Sequence, residues 1–325
     1  MATLPIETIE VTELPNPTEH HRGLIWVQGE LFYSYNGQWH KLASRPPLTQ
    51  TPKGYILEVQ HRLFSFTFSN ETLQPTAKTD AFNEMAAFNS DTHGYFTGGT
   101  RYPNPNLKTI RRVSFLCEAF GDLMQTLFQN RVFACGLNSL LAGYTAGGSS
   151  LTTTEKLTFN TETTNLINTN ISHATESCDL NTPNKGYICG GTSITSLNYT
   201  TESTALLGLS LPKSISLASG FSSVDIGFIC SGSRYYASIM SFDFWKEVCQ
   251  LESIVLATPR QASASFNTHI IGYCAGGSAG PSDYEFTSDS ICCFHMVDKY
   301  SHVLTQALLP DRCFHISGVQ SGGFL

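Results

Sequence analysis

The chain has 325 residues, only 14% of them charged, with a formal net charge of −7 and ten cysteines. That length is too great for one simple core but suits a repeat array. The acidic balance excludes a nucleic-acid partner, because no basic field exists to hold phosphates, and no eighteen-residue apolar run predicts membrane insertion.

In chain order, residues 1–22 come first. They carry neither a basic leader nor an apolar core, so no secretory signal is expected, and the cysteines are expected to stay reduced. The segment alternates weakly before prolines break it. Ile6, Ile9, Val11 and Leu14 are expected to form an assembly arm, docked on a partner as an added strand and able to join copies of the chain into a homo-oligomer. His20-His21 reads as a solvated pair.

From Gly23 onward one pattern recurs. "GLIWVQG" at Gly23 and "GYILEV" at Gly54 are followed by "GYFTGGT" at Gly94, "GYTAGGS" at Gly143, "GYICGGTS" at Gly186, "GFICSGS" at Gly227 and "GYCAGGS" at Gly272. From Gly54 the intervals are 40, 49, 43, 41 and 45 residues. Each interval holds an apolar strand ending in small residues, a polar loop and an alternating strand such as "RLFSFTFSNET" (62–72) or "SICCFHMVDK" (290–299). A further apolar piece follows, then a small-residue strand such as "RQASASFN" (260–267). Four strands at that period predict an all-β propeller. The glycines let backbones pass closely at a crowded axis and turn with positive φ, and the adjacent aromatics are expected to pack between blades. A phosphate loop is excluded, since no GK[ST] and no strand-to-helix context follow.

The run "LFYSYNGQWHKLASRPPLTQTPKGYILEV" (31–59), with its Asn-Gly turn, Trp39, Arg45 and Gly-Tyr strand, resembles a kelch repeat, as do the "GYxxGG" copies. The resemblance covers residues 23–325. It departs from the family in that Trp is mostly replaced and Arg45, Arg260 and Arg312 occur in some units only. Counting Gly23 as a unit start gives seven blades, with the C-terminal "PDRCFHISGVQSGGFL" supplying the lead-in strand that the first unit lacks and closing the ring. Six blades is the alternative, with residues 23–43 a separate hairpin.

Little chemistry is foreseen. Cys189 and Cys230 share a repeat position with Thr97 and Ala146, so a small buried side chain is wanted there. Cys292 and Cys293 face opposite sides of a strand. No CxxC or HExxH occurs, and neither metal nor cofactor is expected. Glu155, Glu202 and Glu247 read as solvent-facing, which leaves no convergent carboxylates for glycoside hydrolysis. No GxSxG, arginine cluster or copper-ligand set appears, so no enzyme is expected. Lys108, Arg111 and Arg112 read as a solvated strand edge. Residues 117–130, with Phe120, Leu123, Met124, Leu127 and Phe128, could form a short amphipathic helix.

Binding is expected at three loops that present rigid Tyr and Arg side chains. They carry Arg101, Tyr102 and Asn104; Arg234, Tyr235 and Tyr236; and Asp283 and Tyr284. The Thr/Ser/Asn-rich repeats also resemble kelch-like propellers of bacteriophage structural genes. That resemblance implies a non-enzymatic component of a virus particle (tail, fibre or decoration), made in the host cytoplasm. Its partners would be other virion proteins or a host surface receptor, glycan included. An intracellular kelch adaptor and a carbohydrate-binding propeller are the alternatives.

Overall fold

The computed structural model describes residues 8–11, 24–27, 30–35, 38–44, 52–58, 62–80, 82–101, 107–172, 175–230, 232, 237–278, 288–313 and 316–320. Every regular element among them is a strand. The chain divides into two compact units, Met1–Thr51 and Pro52–Leu325.

The first unit is one sheet of β1 (Thr8–Val11), β2 (Leu24–Val27), β3 (Glu30–Tyr35) and β4 (Gln38–Ser44), in that order. β1 runs parallel to β2, with Ile9 opposite Ile25 and Val11 opposite Val27. Ile9 and Val11 of the expected arm therefore lie on a strand paired within its own chain. Ile6 and Leu14 fall outside the described residues. Leu24–Val27 falls in the same compact unit as Thr8–Val11 and pairs with it.

The second unit holds six four-stranded antiparallel sheets. The first blade has β5 (Lys53–Glu58), β6 (Arg62–Thr67) and β7 (Thr72–Lys78), and the second β8 (Ala86–Asn89), β9 (His93–Thr97), β10 (Ile110–Ser114) and β11 (Phe120–Asp122). The third has β12 (Cys135–Asn138), β13 (Ala142–Ala146), β14 (Thr154–Thr158) and β15 (Thr163–Ile167). The fourth has β16 (Cys178–Asn181), β17 (Lys185–Gly190), β18 (Ser193–Asn198) and β19 (Thr204–Leu206). The fifth has β20 (Ser219–Ser222), β21 (Ile226–Cys230), β22 (Ser238–Asp243) and β23 (Val248–Val255). The sixth has β24 (Ala264–Asn267), β25 (Ile271–Ala275), β26 (Ser288–His295) and β27 (Tyr300–Cys313). The last strand, β28 (Ser317–Gln320), pairs with β5, Val319 lying opposite Tyr55. Strands β28, β8, β12, β16, β20 and β24 neighbour one another in a closed circle.

The propeller thus has six blades, and the expectation of seven is corrected. The Gly23 segment lies in the other unit, and the C-terminal strand completes the sheet of Gly54 instead of one starting at Gly23. The physical reason lies in the seams between blades. The first glycine of each Gly-aromatic pair lies under the third residue of the preceding blade's inner strand. At Gly143 a Cβ would meet the Phe88 ring at 2.0 Å, and at Gly94 it would meet Val319 at 2.3 Å. "GLIWVQG" has the glycine but follows it with Leu24, where all six blades carry the Tyr or Phe that packs into the next seam.

The neighbouring aromatic does pack between blades. Tyr55 stacks on Phe115, Tyr95 on Phe159, Tyr144 on Tyr199, Tyr187 on Phe244 and Tyr273 on Phe68. Phe228 instead shares a core cluster with Met296. Each partner opens the tight turn between the third and fourth strands of the next blade. Such contacts contribute about 0.5–1.5 kcal/mol each beyond burial, repeated around the ring.

Residues 117–130 are not a helix. Phe120–Asp122 form edge strand β11 on β10, and the amides of Leu123 and Leu127 donate to the Ile110 and Lys108 carbonyls. The apolar spacing instead places Leu127 in the core while Met124 stays exposed.

Candidate functional site

Five glutamates, Glu71, Glu118, Glu162, Glu202 and Glu247, end those tight turns with φ of 49–56°. The turn brings each carboxylate to the tyrosine of the preceding blade. Tyr55 donates to Glu118 at 3.4 Å, Tyr95 to Glu162 at 3.2 Å, Tyr187 to Glu247 at 3.2 Å and Tyr273 to Glu71 at 3.3 Å. A cation completes most of these clamps: Lys53 on Glu118 at 2.7 Å, Lys185 on Glu247 at 2.9 Å, Arg112 on Glu162 and Lys156 on Glu202. Burial first, then the facing carboxylate, pushes the tyrosine hydroxyls up, Tyr144 to about 12. Between the fifth and sixth blades the arrangement inverts. Phe228 has no hydroxyl, the turn position is Lys299, and Lys299 pairs backward with Glu252 at 2.9 Å.

Glu202 and Glu247 are therefore engaged in seams, and Glu155 is fully buried, which corrects the solvent-facing reading. Glu155 accepts from the Arg131 guanidinium at 2.9 Å and from the amides of Phe128 and Gln129. Arg131 also donates to the Gly147 and Thr153 carbonyls under the double-glycine turn. Arg260 is placed likewise in the sixth blade, donating to the Cys274 and Gly276 carbonyls at 2.9 Å. Nor are Arg111 and Arg112 a solvated edge. Arg111 is buried over the Phe82 ring at 3.6 Å and pairs with Asp122 at 2.7 Å. Cys189 and Cys230 are wholly buried, as a small-residue position requires. Burial pushes Asp179, on the fourth inner strand, up from 3.8 to about 7, opposed by the Asn181 amide donating at 2.9 Å.

Of the expected binding-loop residues, Arg101 is described. It is half-exposed and paired with Asp80 at 3.1 Å. Tyr102, Asn104, Arg234, Tyr235, Tyr236, Asp283 and Tyr284 lie outside the described residues. The double-glycine turns, with Gly98, Gly99, Gly147, Gly148, Gly276 and Gly277 at positive φ, mark one end of the ring.

The opposite end carries the turns between first and second strands and between third and fourth strands, because an up-and-down blade brings both out together. At these tips Leu116, Leu140, Leu141, Val224, Trp245, Ile270 and Val297 are exposed, Trp245 at 84% and Leu141 at 77%. The Trp245 indole donates to Asp225 at 2.9 Å, which links the two tips of the fifth blade. Sequence reasoning missed this face, although apolar residues inside polar turn sequences ("NSLLA", "SSVDI", "DFWKE") were the available signal.

It also missed one cluster of donors. On the sixth blade, Cys293 of β26 pairs across the sheet with His302 of β27, and His295 projects from the same face two residues on. The Cys293 sulfur lies 3.2 Å from both ring nitrogens of His302. One donor atom from each of the three residues lies within 4.8 Å of the others. His295 stacks on Tyr300 with centroids 3.9 Å apart. Burial pushes the Cys293 thiol up to about 12 and lowers His295. The expectation of no metal-ligating set rested on contiguous motifs, whereas these residues meet only through strand alternation and cross-strand register.

No family model matches the chain, and no curated protein matches it. Among solved structures 889 chains match. One is the structure of YjhT, with a TM-score of 0.61 and 9% identity over 75% of this chain and 91% of that one. So distant a likeness, shared so widely, identifies the fold: this chain carries a six-bladed β-propeller.

Proposed function

We propose that the chain is a non-enzymatic interaction platform of a virus particle, a tail, fibre or decoration component seated against neighbouring virion proteins. The observation that carries this reading is the set of exposed apolar tips on one end of the ring, from Leu116 to Val297. Exposed apolar groups gathered at one end of a molecule mark a protein-binding surface. A binding role is supported by the use of the acids, since Glu118, Glu162, Glu202 and Glu247 are engaged between blades and Glu155 is paired with Arg131 inside the third. The virus assignment rests on the kelch-like double-glycine repeats rich in Thr, Ser and Asn. The opposite end, which carries the double-glycine turns, is then the one turned to a receptor.

The test is peptide mass spectrometry on density-gradient-purified particles from the source culture, with the chain counted against the major capsid protein. A fixed copy number is expected, and Leu141→Glu/Trp245→Glu should remain folded yet drop out of the particle. A chain found free in the cell and missing from particles overturns the assignment in favour of an intracellular adaptor.

A further inference from the structure

The six seams provide an internal control for the Cys293 cluster. The cation that meets the seam glutamate comes from one of two places. One is the residue before the Gly-Tyr pair, as with Lys53 and Lys185; the other is the residue paired across the sheet from the tyrosine, as with Arg112 and Lys156. At the seam between the sixth and first blades these two places are Ile271 and Cys293, neither of them cationic. Glu71 nevertheless occupies the usual turn position and takes the Tyr273 hydroxyl. The Tyr273 whose hydroxyl Glu71 accepts lies directly across the sheet from Cys293. Across this face, where the second and third blades carry Tyr95–Arg112–Gly121 and Tyr144–Lys156–Asn165, the sixth carries Tyr273–Cys293–His302 with His295 alongside.

We infer that this seam takes its positive charge from a zinc-class divalent metal ion held by Cys293, His295 and His302. A thiolate and two imidazoles form a borderline-soft set suited to Zn²⁺, which takes S and N donors at about 2.3 and 2.0–2.1 Å. Donor atoms separated by 3.2 Å and lying within 4.8 Å of one another suit a tetrahedral ion. On binding, the Cys293 thiol proton leaves to solvent and the sulfur binds as thiolate. The exposed side of His302 leaves a fourth position open to water, with Glu71 the nearby carboxylate of the next blade. A copper site of the Cys-His-His type with an axial thioether is disfavoured, because Met296 packs into the opposite seam with Phe228 and Phe294.

The test uses the full chain stripped with chelator and titrated with Co²⁺, then with Zn²⁺. A sulfur-to-cobalt charge-transfer band should appear at one ion per chain and vanish when Zn²⁺ displaces the cobalt. The thermal midpoint should rise with added Zn²⁺. Cys293→Ser should abolish the band, Cys117→Ser should leave it intact, and Glu71→Gln should weaken Zn²⁺ affinity about 10-fold as an outer partner does. Cys293→Lys, which installs the residue found at Lys156, should fold without metal and lose the Zn²⁺ response. The absence of a band, or a band that survives Cys293→Ser, overturns the site. So does a Cys293→Lys chain that still gains stability from Zn²⁺.

Discussion

The seam between the second and third blades and the seam between the fifth and sixth solve one packing problem in two ways. In the first, Tyr95 stacks on Phe159 and its hydroxyl reaches Glu162, which Arg112 also holds. In the second, Phe228 packs with Met296 and Phe294, and Lys299 turns back to Glu252 of its neighbour. The hydroxyl and the carboxylate have been lost together. A tyrosine without its glutamate would leave a buried polar group unsatisfied, and a glutamate without its tyrosine and cation would be a lone acid against an apolar seam. The seams therefore behave as sets of residues that change jointly.

The strongest way to break the charged side of this comparison lies in the third blade, at Arg131. Its guanidinium and Glu155 are both fully buried. Arg131→Leu leaves a buried carboxylate with two backbone amides and no cation, and should cost about 3–5 kcal/mol. The loss would be read as a fall in the urea midpoint with the slope unchanged. Adding Glu155→Leu should recover much of it, since removing both charges relieves the desolvation that one alone suffers. A double variant no better than the single would show that the Arg131 bonds to Gly147 and Thr153 matter more than the ion pair.

A smaller, pH-dependent effect belongs to Asp179, which unlike Glu118, Glu162, Glu202 and Glu247 has an amide rather than a cation beside it. Its folded pKa of about 7 lies above the ordinary 3.8, so the folded chain binds this proton more tightly than the unfolded one. The associated stability is complete below about pH 4 and is lost as pH rises toward and through 7. Asp179→Asn should be near neutral at the acid end of that window and stabilising above pH 7. Unfolding midpoints of the two chains that stay parallel from acid to neutral pH would refute the shift.

Much of this architecture was legible in the residues. The Gly-aromatic spacing marks the blades, and the same spacing, read without its turn partner, adds a spurious seventh. The missing signal was the four-residue turn, aromatic-x-x-Glu, present as "FSNE", "FLCE", "FNTE", "YTTE" and "FWKE" and altered to "MVDK" in the sixth blade. Applied to the N-terminal segment, it finds no counterpart between Leu24 and Ser44. Glu155 could not be seen as buried, because its partner Arg131 lies 24 residues earlier in an irregular connection. The Cys293, His295 and His302 set was hidden for a related reason, since its members converge only once β26 and β27 pair in a particular register. The apolar tips were visible as letters, but placing them on one end of the ring required the strand directions.

The smallest effect tests the comparison most directly, by rebuilding one seam as the other. Phe228→Tyr alone should cost about 1 kcal/mol, since the new hydroxyl faces Lys299 and has no acceptor of the usual kind. Lys299→Glu alone forfeits the pair with the largely buried Glu252 carboxylate and sets a like charge beside it, and should cost about 1–3 kcal/mol. The turn geometry is no obstacle, because glutamate already adopts that φ at five equivalent positions. Together the two substitutions recreate the Tyr–Glu contact seen at Tyr95 and Glu162, and the double-mutant cycle should show a favourable coupling of about 0.5–1.5 kcal/mol. Repulsion between the new acid and Glu252 is present in both arms that contain it and cancels from the coupling. A coupling of zero would mean that stacking alone sets the seam energy, leaving the glutamates to govern turn geometry instead of adhesion between blades.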